Sequence, residues 1–200
     1  MSASRSTPRL RLTVLLLLAT LFLVAVSERP LCRGMAGEIV QLAGLACIAC
    51  AALGRIWTSA FIAGHKDATL VREGPYSALR HPLYAFSLLA MLGVGLATRS
   101  LTISVAITTA FAAIYARAAG REDAFLARTH GDAFAEYARQ VRAFRPDPGA
   151  YRVPESLDIR PRVYWKAFLD AGSLIGFYLL LRLADRLQLA GITPTWLTLP

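Results

Sequence analysis

Five apolar runs, each bounded by charge, leave this chain little choice but a bundle of membrane-spanning helices. The first is Leu12 to Val26, "LTVLLLLATLFLVAV", behind Arg5, Arg9 and Arg11. The second covers about Glu38 to Ala63, long enough to cross with tilt, with Arg55 inside it free to snorkel or to face a polar interior. The third, Leu83 to Thr98, and the fourth, Leu101 to about Ala116, are separated only by Arg99 and Ser100, which predicts a tight helical hairpin. The fifth occupies about Val163 to Ala184, with Lys166 and Asp170 near its start. "AVS" before Glu28 has signal-peptidase character, but the rest of the chain is also built of spans, so the first run is read as one too.

Composition agrees. Of the 200 residues 56% are hydrophobic and 18% charged, whereas soluble domains lie nearer about half and about a quarter. The net charge of +9 is carried by Arg clustered beside the spans, a positive-inside pattern rather than a nucleic-acid surface. Three cysteines give no disulfide framework. Cys47 and Cys50 form a CxxC inside an apolar helical stretch without further ligands nearby, so they are read as packing residues and no metal site is expected.

Basic side chains crowd the N-terminal tail, the second loop and the segment after the fourth run. An N-terminus on the cytoplasmic side puts the last two on that side as well, so Leu70–Tyr84 and Gly120–Arg145 meet at one membrane face. Between Gly120 and Val141 apolar residues recur at helical spacing, predicting one or two amphipathic helices broken near Gly131. Three consecutive segments result: a tail, span and loop over 1–37, a core over 38–146, and a Pro-rich connector with a last span over 147–200. The expected fold class is all-α, a polytopic membrane bundle of about five transmembrane helices with a cytoplasmic amphipathic segment.

Two clusters on that face could carry chemistry. Gly74-Pro75-Tyr76 predicts a turn, and Pro82 a helix start. Free N–H groups there, with Arg80, would favour a carboxylate or phosphate. Tyr76 and Tyr84 offer faces for a planar base, and His81 can donate or accept near neutral pH. The same residues would equally serve as an interfacial Tyr/Arg anchor. Glu122-Asp123 could complement a helix dipole or bind hydroxyls, amines or a sulfonium, with Arg117 and Arg121 able to pair with them or hold an anion.

"ATLVREGPYSALRHPLY" followed by "REDAFLARTHGDAFAEYARQVRAFRP" resembles the core of the isoprenylcysteine carboxyl methyltransferase family and its bacterial relatives, and phospholipid methyltransferases share a similar pattern. The likeness spans about Phe61 to Pro146. Asp123 stands where the family has a second Glu, Phe134 where a Tyr is usual, Phe86 where a Gly often follows the Tyr, and Ala68, with His65 before it, at a position polar in some members. The resemblance implies a methyltransferase using S-adenosylmethionine, with Thr69, Leu70, Val71, Tyr76, Arg80, His81, Pro82, Leu83, Tyr84 and Glu122 as cofactor contacts. Glu122, Arg121 and His81 are its candidate catalytic groups, and a small or lipid-like hydrophobic acceptor with a carboxylate, thiol or amine would arrive from the bilayer. A bacterial inner membrane with a cytoplasmic active site is the expected location, and membrane lipids rather than nucleic acid the expected surroundings. A membrane reductase of the sterol-reductase type, or a non-catalytic scaffold, are the alternatives.

Overall fold

A computed structural model describes residues 7–28, 34–63, 69–157, 159, 161–193 and 196–198. His65 and Ala68 lie outside the described residues. The chain is a helical membrane bundle: α1 (Thr7–Val26), α2 (Met35–Ile62), α3 (Pro75–Ala78), α4 (Pro82–Ala97), α5 (Leu101–His130), α6 (Asp132–Gln140) and α7 (Pro161–Leu189). Three stretches, Met35–Ile62, Leu101–His130 and Tyr164–Leu189, are long and apolar enough to cross a membrane; Leu12–Val26 and Pro82–Ala97 are shorter apolar helices. The two-residue strands β1 (Ser27–Glu28) and β2 (Leu197–Thr198) pair in parallel.

The helix ends follow from local chemistry. Pro82, lacking an N–H, opens α4 without losing a bond, and the His81 carbonyl accepts the Ala85 N–H at 3.1 Å. The α4–α5 hairpin turns through Thr98, Arg99 and Ser100, with Arg99 in the left-handed region at φ 56°. Ser100 then caps α5, its hydroxyl accepting from Ile103 N–H at 3.3 Å. Gly131, at φ 52°, separates α5 from α6, as the spacing predicts; its carbonyl accepts the Phe134 and Ala135 N–H groups, each at 3.1 Å.

One expectation is corrected. Gly120 does not begin a new helix: the fourth span and the Glu122 segment form one uninterrupted α5 of 30 residues. A single Gly costs a helix only about 1 kcal/mol, less than breaking its hydrogen-bond ladder. Glu122 and Asp123 therefore lie about six turns into α5, far from the positive end of a dipole, so that explanation for the pair falls away.

The described chain forms two compact units, neither of them a consecutive segment. One comprises 1–46, 92–109 and 176–200. Here α2 and α4 touch through backbone, because a Cβ on Gly44 would stand 2.7 Å from the Gly93 carbonyl. Asp185, 2% exposed, pairs with Arg99, and the Gln41 amide donates to the Ala97 carbonyl at 3.3 Å and to Asp185 at 3.5 Å. The other unit comprises 47–91 and 110–175 and holds the sequence motifs.

Candidate active site

The turn before α4 is built around Gly74. Its φ of 58° suits glycine, and a Cβ there would fall 2.1 Å from the Phe61 ring. Pro75 occupies the first position of α3, so the expected turn is realised as a single helical turn. Ser77 fastens it, donating to the Gly74 carbonyl at 2.7 Å and accepting the Arg152 N–H at 2.8 Å.

This turn is stitched to α6 and the chain that follows. Arg80 and His81 donate their backbone N–H groups to the carbonyls of Arg142 and Ala143 at 3.0 and 3.3 Å. The Arg80 side chain donates from Nε to Val141 O at 3.1 Å and from Nη2 to Ala138 O at 2.9 Å, satisfying carbonyls at the end of α6. Its Nη1 meets Asp123 Oδ2 at 2.7 Å, and its plane lies over Phe134, 5.8 Å from the ring centroid. Tyr137 adds a bond from its hydroxyl to the Tyr76 carbonyl at 2.8 Å. Arg80 is thus a clamp rather than the open cation expected from sequence, because backbone carbonyls and Asp123 already occupy its donors.

Asp123 is shared. Its second oxygen lies 2.9 Å from His81 Nε2, and His81, 4% exposed, is flanked by the rings of Tyr84 and Phe144. One residue earlier on α5, Glu122 accepts the Tyr84 hydroxyl at 2.8 Å. Tyr84 stacks on Tyr115 with centroids 5.7 Å apart.

These elements line an open-sided cavity of about 90 Å³. Thr69, Leu70, Val71, Tyr76, Arg80, His81, Leu83, Tyr84 and Glu122 all line it. Pro82 is buried at the start of α4 and does not reach the cavity. Arg121 does not reach it either: it is exposed, and its Nε donates to the Arg117 carbonyl one turn back, so the geometry gives it no part in the site.

Ile62, Leu126 and Tyr137 line the cavity without having been singled out as site residues. Leu126 was recoverable, since it stands four residues after Glu122 on the same helical face. Burial and the charge of Glu122 push the Tyr76 phenol above its ordinary range, and burial does the same for Tyr137. Both are neutral donors at physiological pH. The arrangement can hold a flat, partly cationic molecule between aromatic faces, apolar walls and one carboxylate.

A family model described as phospholipid methyltransferase matches residues 39–133. The cobalt-zinc-cadmium resistance protein CzcN of Cupriavidus metallidurans is 35% identical over 156 residues, 78% of this chain and 72% of that protein. The chain belongs to the phospholipid methyltransferase family. The nickel-cobalt-cadmium resistance protein NccN of Alcaligenes xylosoxydans xylosoxydans is 30% identical over 157 residues, covering 78% of this chain and 73% of that relative. No solved structure matches. The family match runs from early α2 to the start of α6, so it contains both motif regions and the intervening hairpin, while the Arg80-bonded carbonyls of Ala138 and Val141 lie beyond it.

Proposed function

We propose that this protein is an integral-membrane methyltransferase that uses S-adenosylmethionine to methylate a lipophilic acceptor. One observation carries the reading: the turn before α4 and Glu122 of α5, about 40 residues apart in the chain, line a single cavity. The donor set suits the cofactor. Tyr76 and Tyr84 present faces to a base or a sulfonium, Glu122 takes hydroxyl or amino groups, and Leu70, Leu83 and Leu126 exclude water.

The cofactor supplies a methyl group already activated by its sulfonium. The protein's share is then alignment and dryness. Tyr84 holds Glu122 in place through its hydroxyl, and Asp123 holds His81. A carboxylate or thiolate acceptor needs no base; an amine would hand its proton to His81 or Glu122, the titratable groups lining the cavity beside the phenols.

The site faces the cytoplasm in this reading, at a bacterial inner membrane. Arg139, Arg142 and Arg145, all exposed, support that orientation because they lie in or just after the clamped segment. The relatives are named for resistance to cobalt, zinc, cadmium and nickel; for this chain we infer methylation of a membrane component under such metal load.

Calorimetric titration of the purified protein with S-adenosylmethionine tests the assignment. Binding is expected, with Glu122→Ala and Tyr84→Ala each weakening it at least tenfold. Unchanged affinity in both variants would remove the cofactor from this cavity. Tighter binding of a reduced nicotinamide dinucleotide in a parallel titration would favour reductase chemistry instead. Transfer of labelled methyl into a fractionated membrane extract then identifies the acceptor.

A further inference from the structure

Arg55 is the single charged side chain of α2 between Glu38 and Ile62, and it lies in the same compact unit as the cavity. Gly54 beside it lets α4 come close, since a Cβ there would stand 2.3 Å from the Phe86 ring. Arg55 Nη1 donates to the Ser87 hydroxyl, which in turn donates to the Leu83 carbonyl at 2.7 Å. Ser87 is one helical turn, about 5.4 Å, past Leu83 and Tyr84 of the cavity wall, on the same face of α4 and further into its apolar stretch. The Tyr115 hydroxyl also interacts with Ser87 and feels the Arg55 charge, and the Tyr115 ring stacks on Tyr84. A guanidinium therefore stands one tier below the cavity, where its walls pass into the apolar part of the bundle.

Among the described residues no carboxylate lies within ion-pair distance of Arg55, and its Nε is buried without a hydrogen-bond partner. An Arg at membrane depth is costly unless it is paired, faces water or snorkels, and such residues mark ligand pathways. A neutral Ser hydroxyl does not neutralise the charge. A helix-packing role needs no cation, because Gly54 and Phe86 already bring α2 and α4 into contact.

We propose that Arg55 is an anion-recognition residue: it binds the carboxylate or phosphate of a lipophilic ligand entering the cavity from the bilayer. Resting on the methyltransferase reading, that ligand is the acceptor, and its class is an anionic amphiphile rather than a neutral lipid. A planar guanidinium suits bidentate contact to either oxyanion.

The test uses the full-length protein in detergent, with oleate, oleyl phosphate and oleyl alcohol as probes in equilibrium binding. Oleate or oleyl phosphate is expected to bind at least tenfold tighter than the alcohol, with Arg55→Gln erasing the difference and Arg55→Lys keeping part of it. Circular dichroism and S-adenosylmethionine affinity of the variants report whether the fold and cavity are intact. Equal binding of all three probes by the wild-type protein overturns the proposal, as does an unchanged preference in a folded Arg55→Gln variant. Displacement of oleate by inorganic phosphate as readily as by oleyl phosphate overturns the lipophilic part, since it would mark a site for soluble anions. Loss of the cofactor reading leaves a separate signature: no S-adenosylmethionine binding by wild-type protein, with the probe preference intact.

Discussion

Arg80 and Asp123 meet at 2.7 Å, and that contact joins the turn before α4 to the middle of α5. Because the same carboxylate also holds His81 at 2.9 Å, one side chain fixes two residues of the cavity wall. Asp123→Ala should leave Arg80 bound to α6 carbonyls while freeing the imidazole. The expected cost is about 1.5–3 kcal/mol, the usual worth of hydrogen bonds to charged groups. A lowered unfolding temperature in detergent, with S-adenosylmethionine affinity falling in parallel, is the outcome to look for; wild-type values for both would show the pair to be dispensable.

Gly74 faces two independent restrictions, a left-handed φ and the Phe61 ring in its Cβ position. Gly74→Ala should therefore destabilise by about 1–3 kcal/mol. Adding Phe61→Leu should restore part of the loss, since it relieves the contact and leaves the backbone cost. Full restoration in the double variant would mean that the backbone conformation is free of strain.

Alkaline pH should weaken the fold. Unfolded tyrosines lose their protons near pH 10, whereas Tyr76 and Tyr137 keep theirs in the native state because their folded pKa values are raised. The native state then binds more protons, so stability falls as pH climbs past 10, by about 1.4 kcal/mol per unit for each residue. Tyr137→Phe gives up its bond to the Tyr76 carbonyl at neutral pH but should flatten this decline. Melting curves between pH 9 and 11 compare the slopes; parallel curves for variant and wild type would contradict the assignment.

In the other unit, Asp185 and Arg99 form an ion pair whose side chains are 3% and 11% exposed. Removing either partner alone leaves a buried charge and should cost about 3–5 kcal/mol. The double variant Arg99→Leu/Asp185→Leu should lose less than the two single losses combined. A double-mutant cycle on unfolding in detergent reads the coupling, and strict additivity would mean the two act independently.

The sequence exposes what periodicity and punctuation encode. Pro82 marks the start of α4, Gly131 marks the break before α6, and the short Arg99-Ser100 link marks the hairpin. Most of the cavity lining was reached through the family resemblance, whose short motifs around Tyr76 and Tyr84 and at Glu122 supply it. What stayed hidden depends on backbone or distance. Arg80 spends its donors on carbonyls, which leave no trace in a sequence. Gly120 resembles a boundary, yet an apolar helix can continue into an amphipathic one without any stop signal. Asp185 falls just past the expected end of the last span, and its partner Arg99 is 86 residues away, so their pairing could be found only in three dimensions.

The continuity of α5 has a mechanical meaning. Its 30 residues make a rod of about 45 Å at 1.5 Å per residue, against a hydrocarbon core of about 30 Å. Glu122 sits on the same unbroken helix as the apolar stretch that begins at Leu101, with no hinge in the backbone between them. A helix answers a thinner bilayer by tilting, and an unbroken helix passes the tilt on to the contacts that pin Glu122 and Asp123 to Tyr84 and Arg80. A change in bilayer thickness should therefore be felt as load on the contacts around Glu122, without any molecule binding there.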